Sequence, residues 1–210
     1  MTEKLERPKL VTAEAVRPFV IVALLAAVMW VEQIVSVIPG THFDFNRWGI
    51  EPRRLHGLPG IVLAPFLHVG FGHLIGNTIP FLVLGGIIAV SGVKRYLEVT
   101  VLIALMSGAA LWLLGPSNQY VVGASGVVFG YFTYLMARGF FDRRVTYIVI
   151  GAIVGVVYGS ILWGLLPHPG ISWQDHVFGA LAGVATAYLL RTTKQHDDPK
   201  PAADVAEPHA

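Results

Sequence analysis

Apolar residues in this chain gather into six long blocks, at 18–38, 73–91, 98–114, 126–137, 145–165 and 174–190, separated by segments that carry the charges, prolines and turns. A helix needs roughly 20 mostly apolar residues to cross a bilayer. In lipid the backbone must satisfy its own hydrogen bonds, so helices are the natural form for such blocks. The pattern predicts an all-α, polytopic membrane protein. Its domains are expected to be a cytoplasmic segment at 1–17, one six-span membrane domain at 18–191 and a polar, disordered cytoplasmic tail at 192–210. The first block is longer than a signal-peptide core, and no small-x-small cleavage site follows it, so it is expected to be retained.

Composition agrees with that picture. Of the 210 residues, 54% are hydrophobic and 13% charged, against about 25% charged in soluble domains. A net charge of +2 gives no reason to expect a nucleic-acid partner, and the lack of cysteine excludes disulfides, thiolate metal sites and a cysteine nucleophile. The placement of the basic residues matters more than their sum. Lys4, Arg7, Lys9 and Arg17 precede the first block, Lys94 and Arg95 follow the second, Arg138, Arg143 and Arg144 follow the fourth, and Arg191, Lys194 and Lys200 follow the sixth. With six spans all of these fall on one side; Arg47, Arg53 and Arg54 fall on the other. The positive-inside rule then puts both termini in the cytoplasm. No transit peptide is recognised, and a bacterial plasma membrane is the expected location.

The fourth block is the shortest. At 1.5 Å per residue, 126–137 makes about 18 Å of helix, against a hydrocarbon core of about 30 Å. With Arg138 pinning its inner end, its outer end is expected below the outer surface, under a loop that descends to meet it. Irregular backbone at that depth lines a wet cavity or is enclosed by protein. Ser125 stands at this point, in Gly123-Ala124-Ser125-Gly126. Small neighbours leave the hydroxyl accessible, and free N–H groups at a helix start suit a developing oxyanion. Helix capping and small-residue packing are the alternative uses of the same residues.

His176 lies near the outer end of the sixth block, and an ionisable residue inside a span is a functional candidate by default. An interfacial histidine is the alternative. Gly179 and Gly183 give its helix a smooth face that matches Gly126 and Gly130, which would bring the imidazole toward the serine. His73 and Asn77, four apart, project from one face of the second helix as candidate oxyanion donors, or as interhelical hydrogen-bonding groups. Phe129 shares a face with Ser125 and suits stacking on the imidazole. Asp175 neighbours His176 but points about 100° away on a helix, a poor orienter. His68, His73 and His176 lack an HExxH pattern and an acidic general base, so no metal is expected. Glu32 is assigned no catalytic role.

Together, His68-x4-His73-x3-Asn77, Gly123-x-Ser125-Gly126 and His176-x2-Gly179-x3-Gly183 resemble the rhomboid family of intramembrane serine proteases, over about 18–190. The resemblance implies a six-helix bundle with a short central fourth helix. It implies Ser125 as nucleophile and His176 as general base, with His73, Asn77 and the Ser125 N–H at the oxyanion site. Gly123, Gly126, Phe129 and His68 are supporting residues. Expected partners are transmembrane protein substrates and the bilayer, with no cofactor. Two features depart from the family: Phe129 stands where many members have tyrosine, and Trp48 with Arg53-Arg54 only loosely matches a Trp-Arg pair of the first outer loop. Two other functions fit a polar cavity in a bundle: a non-catalytic rhomboid-like binder of membrane helices, and a small transporter. A binder needs neither Ser125 nor His176, and a transporter predicts broken helices in both halves.

Overall fold

The computed structural model describes residues 13–39, 44–117, 119–168 and 170–192. Lys4, Arg7, Lys9, Lys194, Lys200 and the expected tail beyond Thr192 lie outside them. Among the described residues the fold is all-helical, with seven α-helices: α1 (Ala13–Ser36), α2 (Gly60–Leu63), α3 (Phe71–Ala89), α4 (Val93–Leu114), α5 (Ser125–Asp142), α6 (Val145–Tyr158) and α7 (Trp173–Leu189). A 3-10 segment, Gly159–Leu165, continues α6. Among the described residues, four helices are long and apolar enough to cross a membrane: Ala13–Ser36, Phe71–Ala89, Val93–Leu114 and Val145–Leu165.

Each apolar block falls on a helix, and the burial pattern explains the arrangement. On α1 the buried positions are Pro18, Val22, Ala26, Met29 and Gln33, a single stripe at helical spacing. That stripe faces α3, where the Trp30 indole N–H donates to Thr78 Oγ1 at 3.1 Å. Over its first two turns α5 is buried around its whole circumference, with Gly126 to Phe132 buried without a break. It is the central helix, packed against α3, α4, α6 and, most extensively, α7. In its midsection the Tyr131 hydroxyl meets Thr100 Oγ1 at 2.7 Å, giving the buried phenol a partner on α4.

Three helix boundaries differ from expectation by five residues; one is the start of α4, at Val93 rather than Glu98. α1 begins at Ala13, within the segment expected to lie outside the membrane domain, and carries Pro18 inside its first turns. α5 does not stop at Ala137. It continues to Asp142, 18 residues in all, about 27 Å at 1.5 Å per residue, so the central helix is longer than the 12-residue block suggested. Arg138 does not end it because its charge is satisfied inside the bundle. Its Nε donates to Asp142 Oδ2 one turn on at 3.2 Å, Nη1 donates to Ser91 Oγ at 2.8 Å, and Tyr147 lies over the guanidinium at 3.8 Å.

Residues 44–70, ahead of α3, form short helical turns that brace the start of α5. Ile50 and Val121 exchange two backbone hydrogen bonds of 2.9 Å, and the Gly123 N–H donates to Ala64 at 2.9 Å. Arg53 locks this segment to the end of α4. Its N–H donates to the Trp112 carbonyl at 2.9 Å, and its guanidinium reaches the carbonyls of Leu113 (3.2 Å) and Gly115 (2.7 Å) and the Ser117 hydroxyl. Carbonyls at a helix end have no intrahelical donor; here an arginine supplies one. Trp112 Nε1–H returns a bond of 2.9 Å to the Arg54 carbonyl. Arg53 thus anchors the loop through Trp112 on α4, rather than through Trp48.

Candidate active site

Ser125 is the first residue of α5. The chain reaches it through Gly123, whose φ of +123° favours glycine. A second constraint acts at the same place: a Cβ on Gly123 would lie 2.6 Å from the His73 ring and 3.6 Å from Asn77 Nδ2. The polar face of α3 is thus pressed against the backbone that leads into Ser125. The first N–H groups of α5 have no carbonyl one turn earlier to receive them.

His176 sits in the first turns of α7 and is 7% exposed. The crossing of α5 and α7 brings it close to the start of α5. A Cβ on Gly179 would collide with the Gly126 carbonyl, and one on Gly183 with the Gly130 carbonyl. The glycine faces noted in the sequence therefore make a backbone-to-backbone approach. Two contacts fix the imidazole. Phe129 stacks on it, with centroids 4.3 Å apart and planes 10° from parallel. Nδ1 lies 2.7 Å from the Gly164 carbonyl. A carbonyl only accepts, so Nδ1 carries the hydrogen and the neutral ring's Nε2 keeps its lone pair.

His73 and Asn77 lie on one face of α3. Asn77 is buried, and its Nδ2 has no protein partner, nor does His73 Nδ1. An orphaned amide donor is costly in a folded protein unless water or a ligand uses it. His68, in the loop before α3, meets the His73 ring edge-on at 5.0 Å and contacts the Phe66 carbonyl at 3.4 Å. Burial, and then the neighbouring His73, push the His68 imidazole down to about 4, so it is neutral near pH 7.

Ser125, His176, His73, Asn77 and Phe129 all line one cavity of about 740 Å³. Its walls come from α3, α5, the end of α6 and α7, together with the loop before α5. The floor carries a hydroxyl, an imidazole with a free lone pair, and a second imidazole and an amide that each keep one nitrogen unpartnered. Such a set can transfer an acyl group and stabilise the oxyanion that forms.

Two features of the site escape sequence reasoning. Ser125 Oγ is hydrogen-bonded to Asp175 Oδ2 at 3.3 Å, and no hydrogen bond joins it to His176. The Asp175 carboxylate is buried against the start of α5, so close that a Cβ on Gly126 would lie 2.6 Å from Oδ1. The expectation that Asp175 does not orient the imidazole holds, since its partner is the serine instead. The other feature is the Gly164 carbonyl. A backbone acceptor leaves no mark in side-chain patterns, although a glycine is required there, since a Cβ would come within 2.9 Å of Phe129.

The fold and cavity define a helical integral membrane protein with a serine and a histidine on one cavity floor. The model of the rhomboid domain matches residues 56–193, and the chain belongs to the rhomboid family, whose members are typically intramembrane serine proteases. It is similar to an uncharacterized protein of Mycobacterium tuberculosis, 39% identical over 175 residues that cover 78% of this chain and 71% of the relative. An uncharacterized protein of Mycobacterium leprae is 37% identical over 175 residues, 78% of this chain and 68% of that one.

Proposed function

We propose that this protein is an intramembrane serine endopeptidase that cuts transmembrane segments of other membrane proteins with a Ser125–His176 dyad. The observation that carries the proposal is the meeting of Ser125, His176, His73 and Asn77, which span a hundred positions of the chain, on one cavity. Six spans are proposed, with α5 and α7 joining the four longer apolar helices and both termini in the cytoplasm. Arg138 lies thirteen positions beyond Ser125, roughly 20 Å along the helix. With Arg138 at the inner interface, the hydroxyl would lie about 10 Å below the outer edge of a core about 30 Å thick.

In the proposed reaction, Ser125 Oγ attacks the scissile carbonyl carbon as His176 Nε2 takes its proton. The carbonyl oxygen becomes an oxyanion, held by Asn77 Nδ2–H, by His73 and by the Ser125 N–H. Collapse breaks the C–N bond, and the proton on Nε2 passes to the leaving amine. Water then attacks the acyl-serine, giving one proton to Nε2; the ester C–O bond breaks, and Ser125 Oγ leaves with that proton from Nε2, releasing a carboxylic acid. The Gly164 carbonyl holds Nδ1–H throughout, so Nε2 is the nitrogen that exchanges protons. Phe129 keeps the ring in plane.

The test uses purified protein in liposomes with a panel of single-span membrane proteins. Wild type should cleave at least one of them and should take up a fluorophosphonate at Ser125. Both should disappear in Ser125→Ala and His176→Ala, with folding intact. Cleavage that persists in purified Ser125→Ala would remove the serine mechanism.

A further inference from the structure

At the end of the bundle away from Ser125, a second cavity of about 550 Å³ opens between α3, α5 and α6. Its two ends differ in chemistry. One wall is aliphatic, with Ile87, Ile150 and Ile153 among its residues; the rim carries Ser91, Arg95, Arg138 and Tyr147. Ile153 is 57% exposed and Val90, also on the cavity, is 74% exposed, so the aliphatic part opens outward, on the side that lipid tails would touch.

The rim is built rather than incidental. Tyr147 covers the Arg138 guanidinium, Asp142 holds Nε and Ser91 holds Nη1, which leaves Arg138 Nη2 without a protein partner. Asp142 is itself shared, accepting the Thr192 N–H at 2.8 Å. Arg95 gives Nη1 to the Leu190 carbonyl at 2.7 Å, and its Nε is 4.0 Å from Glu98; Nη2 is again unused. Around this rim the described residues Lys94, Arg95, Arg138, Arg143, Arg144 and Arg191 outnumber Glu98 and Asp142. Two guanidinium edges at one end of an outward-facing aliphatic cleft match a molecule with an anionic head and hydrocarbon tails.

We infer that this cleft is a binding site for an anionic phospholipid, its phosphate between Arg95 and Arg138 and one acyl chain along α3 and α6. Arginine suits the task because its fork reaches two phosphate oxygens at once. Basic residues at the membrane surface favour anionic lipid by roughly 1 kcal/mol each, about fivefold. The site lies outside the proposed catalytic cavity, and it stands whether or not the protein is a protease.

The test is native mass spectrometry of the full chain, released from nanodiscs holding phosphatidylglycerol and phosphatidylcholine in equal amounts. Wild type should retain phosphatidylglycerol preferentially. Arg95→Gln, which leaves the Arg138–Asp142 pair intact, should lower that preference about fivefold. Ile153→Trp, a substitution on an exposed position, should lower retention of both lipids by filling the mouth of the cleft. Folding is checked by the far-ultraviolet circular dichroism of each variant. Equal retention of the two lipids by wild type overturns the inference. So does a preference that survives Arg95→Gln and Ile153→Trp but vanishes in Arg143→Gln/Arg144→Gln, which would place the headgroup on the outer rim instead.

Discussion

Ser125 hands its hydroxyl hydrogen to Asp175, 3.3 Å away, rather than to His176. The two acceptors are consecutive residues of α7, yet they do different things at the start of α5. Asp175 receives the serine at a helix N-terminus, where a negative charge is favoured; His176 is held by Phe129 and Gly164 with its lone pair unused. In the proposed acyl transfer the hydroxyl leaves the carboxylate for the imidazole, a move that rotation about χ1 would provide.

The first prediction separates these roles. Asp175→Asn keeps an oxygen acceptor for Ser125, and its fluorophosphonate labelling rate should stay within about tenfold of wild type. His176→Ala should fall by at least about 10³, since it removes the base. Asp175→Ala should instead lower stability by about 0.5–1.5 kcal/mol, because the half-buried serine hydroxyl loses a hydrogen bond. Were Asp175→Asn as inert as His176→Ala, the carboxylate would belong to the proton path and the dyad would be wrong.

A second prediction concerns the unpartnered donors of α3. Removing both in His73→Ala/Asn77→Ala should cut kcat by about 10²–10³ with KM little changed. Each single variant should lose less, since the other donor and the Ser125 N–H remain. A double variant with wild-type kcat would show that these groups serve packing alone.

Phe129 gives a third. Phe129→Tyr keeps the aromatic face and should cleave at close to the wild-type rate. Phe129→Leu keeps most of the volume but loses the stack, a contact worth about 0.5–1.5 kcal/mol, so cleavage should slow by roughly two- to tenfold. Side-by-side rates in the same liposomes decide it; equal rates for Leu and Tyr would reduce the stack to simple filling.

The helix crossing gives a fourth. Gly179→Ala puts a methyl group into the Gly126 carbonyl, and overpacking of this kind costs about 1–3 kcal/mol. Thermal unfolding in detergent should show a lower midpoint for Gly179→Ala, whereas Gly86→Ala, where a Cβ meets nothing within 4 Å, should not. An unshifted midpoint in Gly179→Ala would mean that α5 and α7 sit further apart.

What the sequence disclosed, and what it withheld, follows from the range of each interaction. Apolar blocks located the helices within a few residues, because the need to bury backbone acts on whole segments. Gly126, Gly130, Gly179 and Gly183 announced a close crossing since only glycine allows it. The end of α5 was misplaced because Arg138 reads as a stop when seen alone; its Asp142 partner, four residues on, was the available signal. The Ser125–Asp175 contact links positions fifty apart, and helix geometry around Asp175 indicated only that it would not face the His176 partner. Arg53 and Trp112 likewise meet only in three dimensions.

The imidazole of His176 is moored to a carbonyl on the trailing turn of α6, not to any side chain. Its readiness to accept a proton is therefore tied to the seating of 159–165. Should that turn swing outward, Nδ1–H loses its tether, the ring is free to flip or change tautomer, and the nitrogen facing the serine can arrive already protonated. Docking of α6 and arming of the proposed base are, on this geometry, a single event.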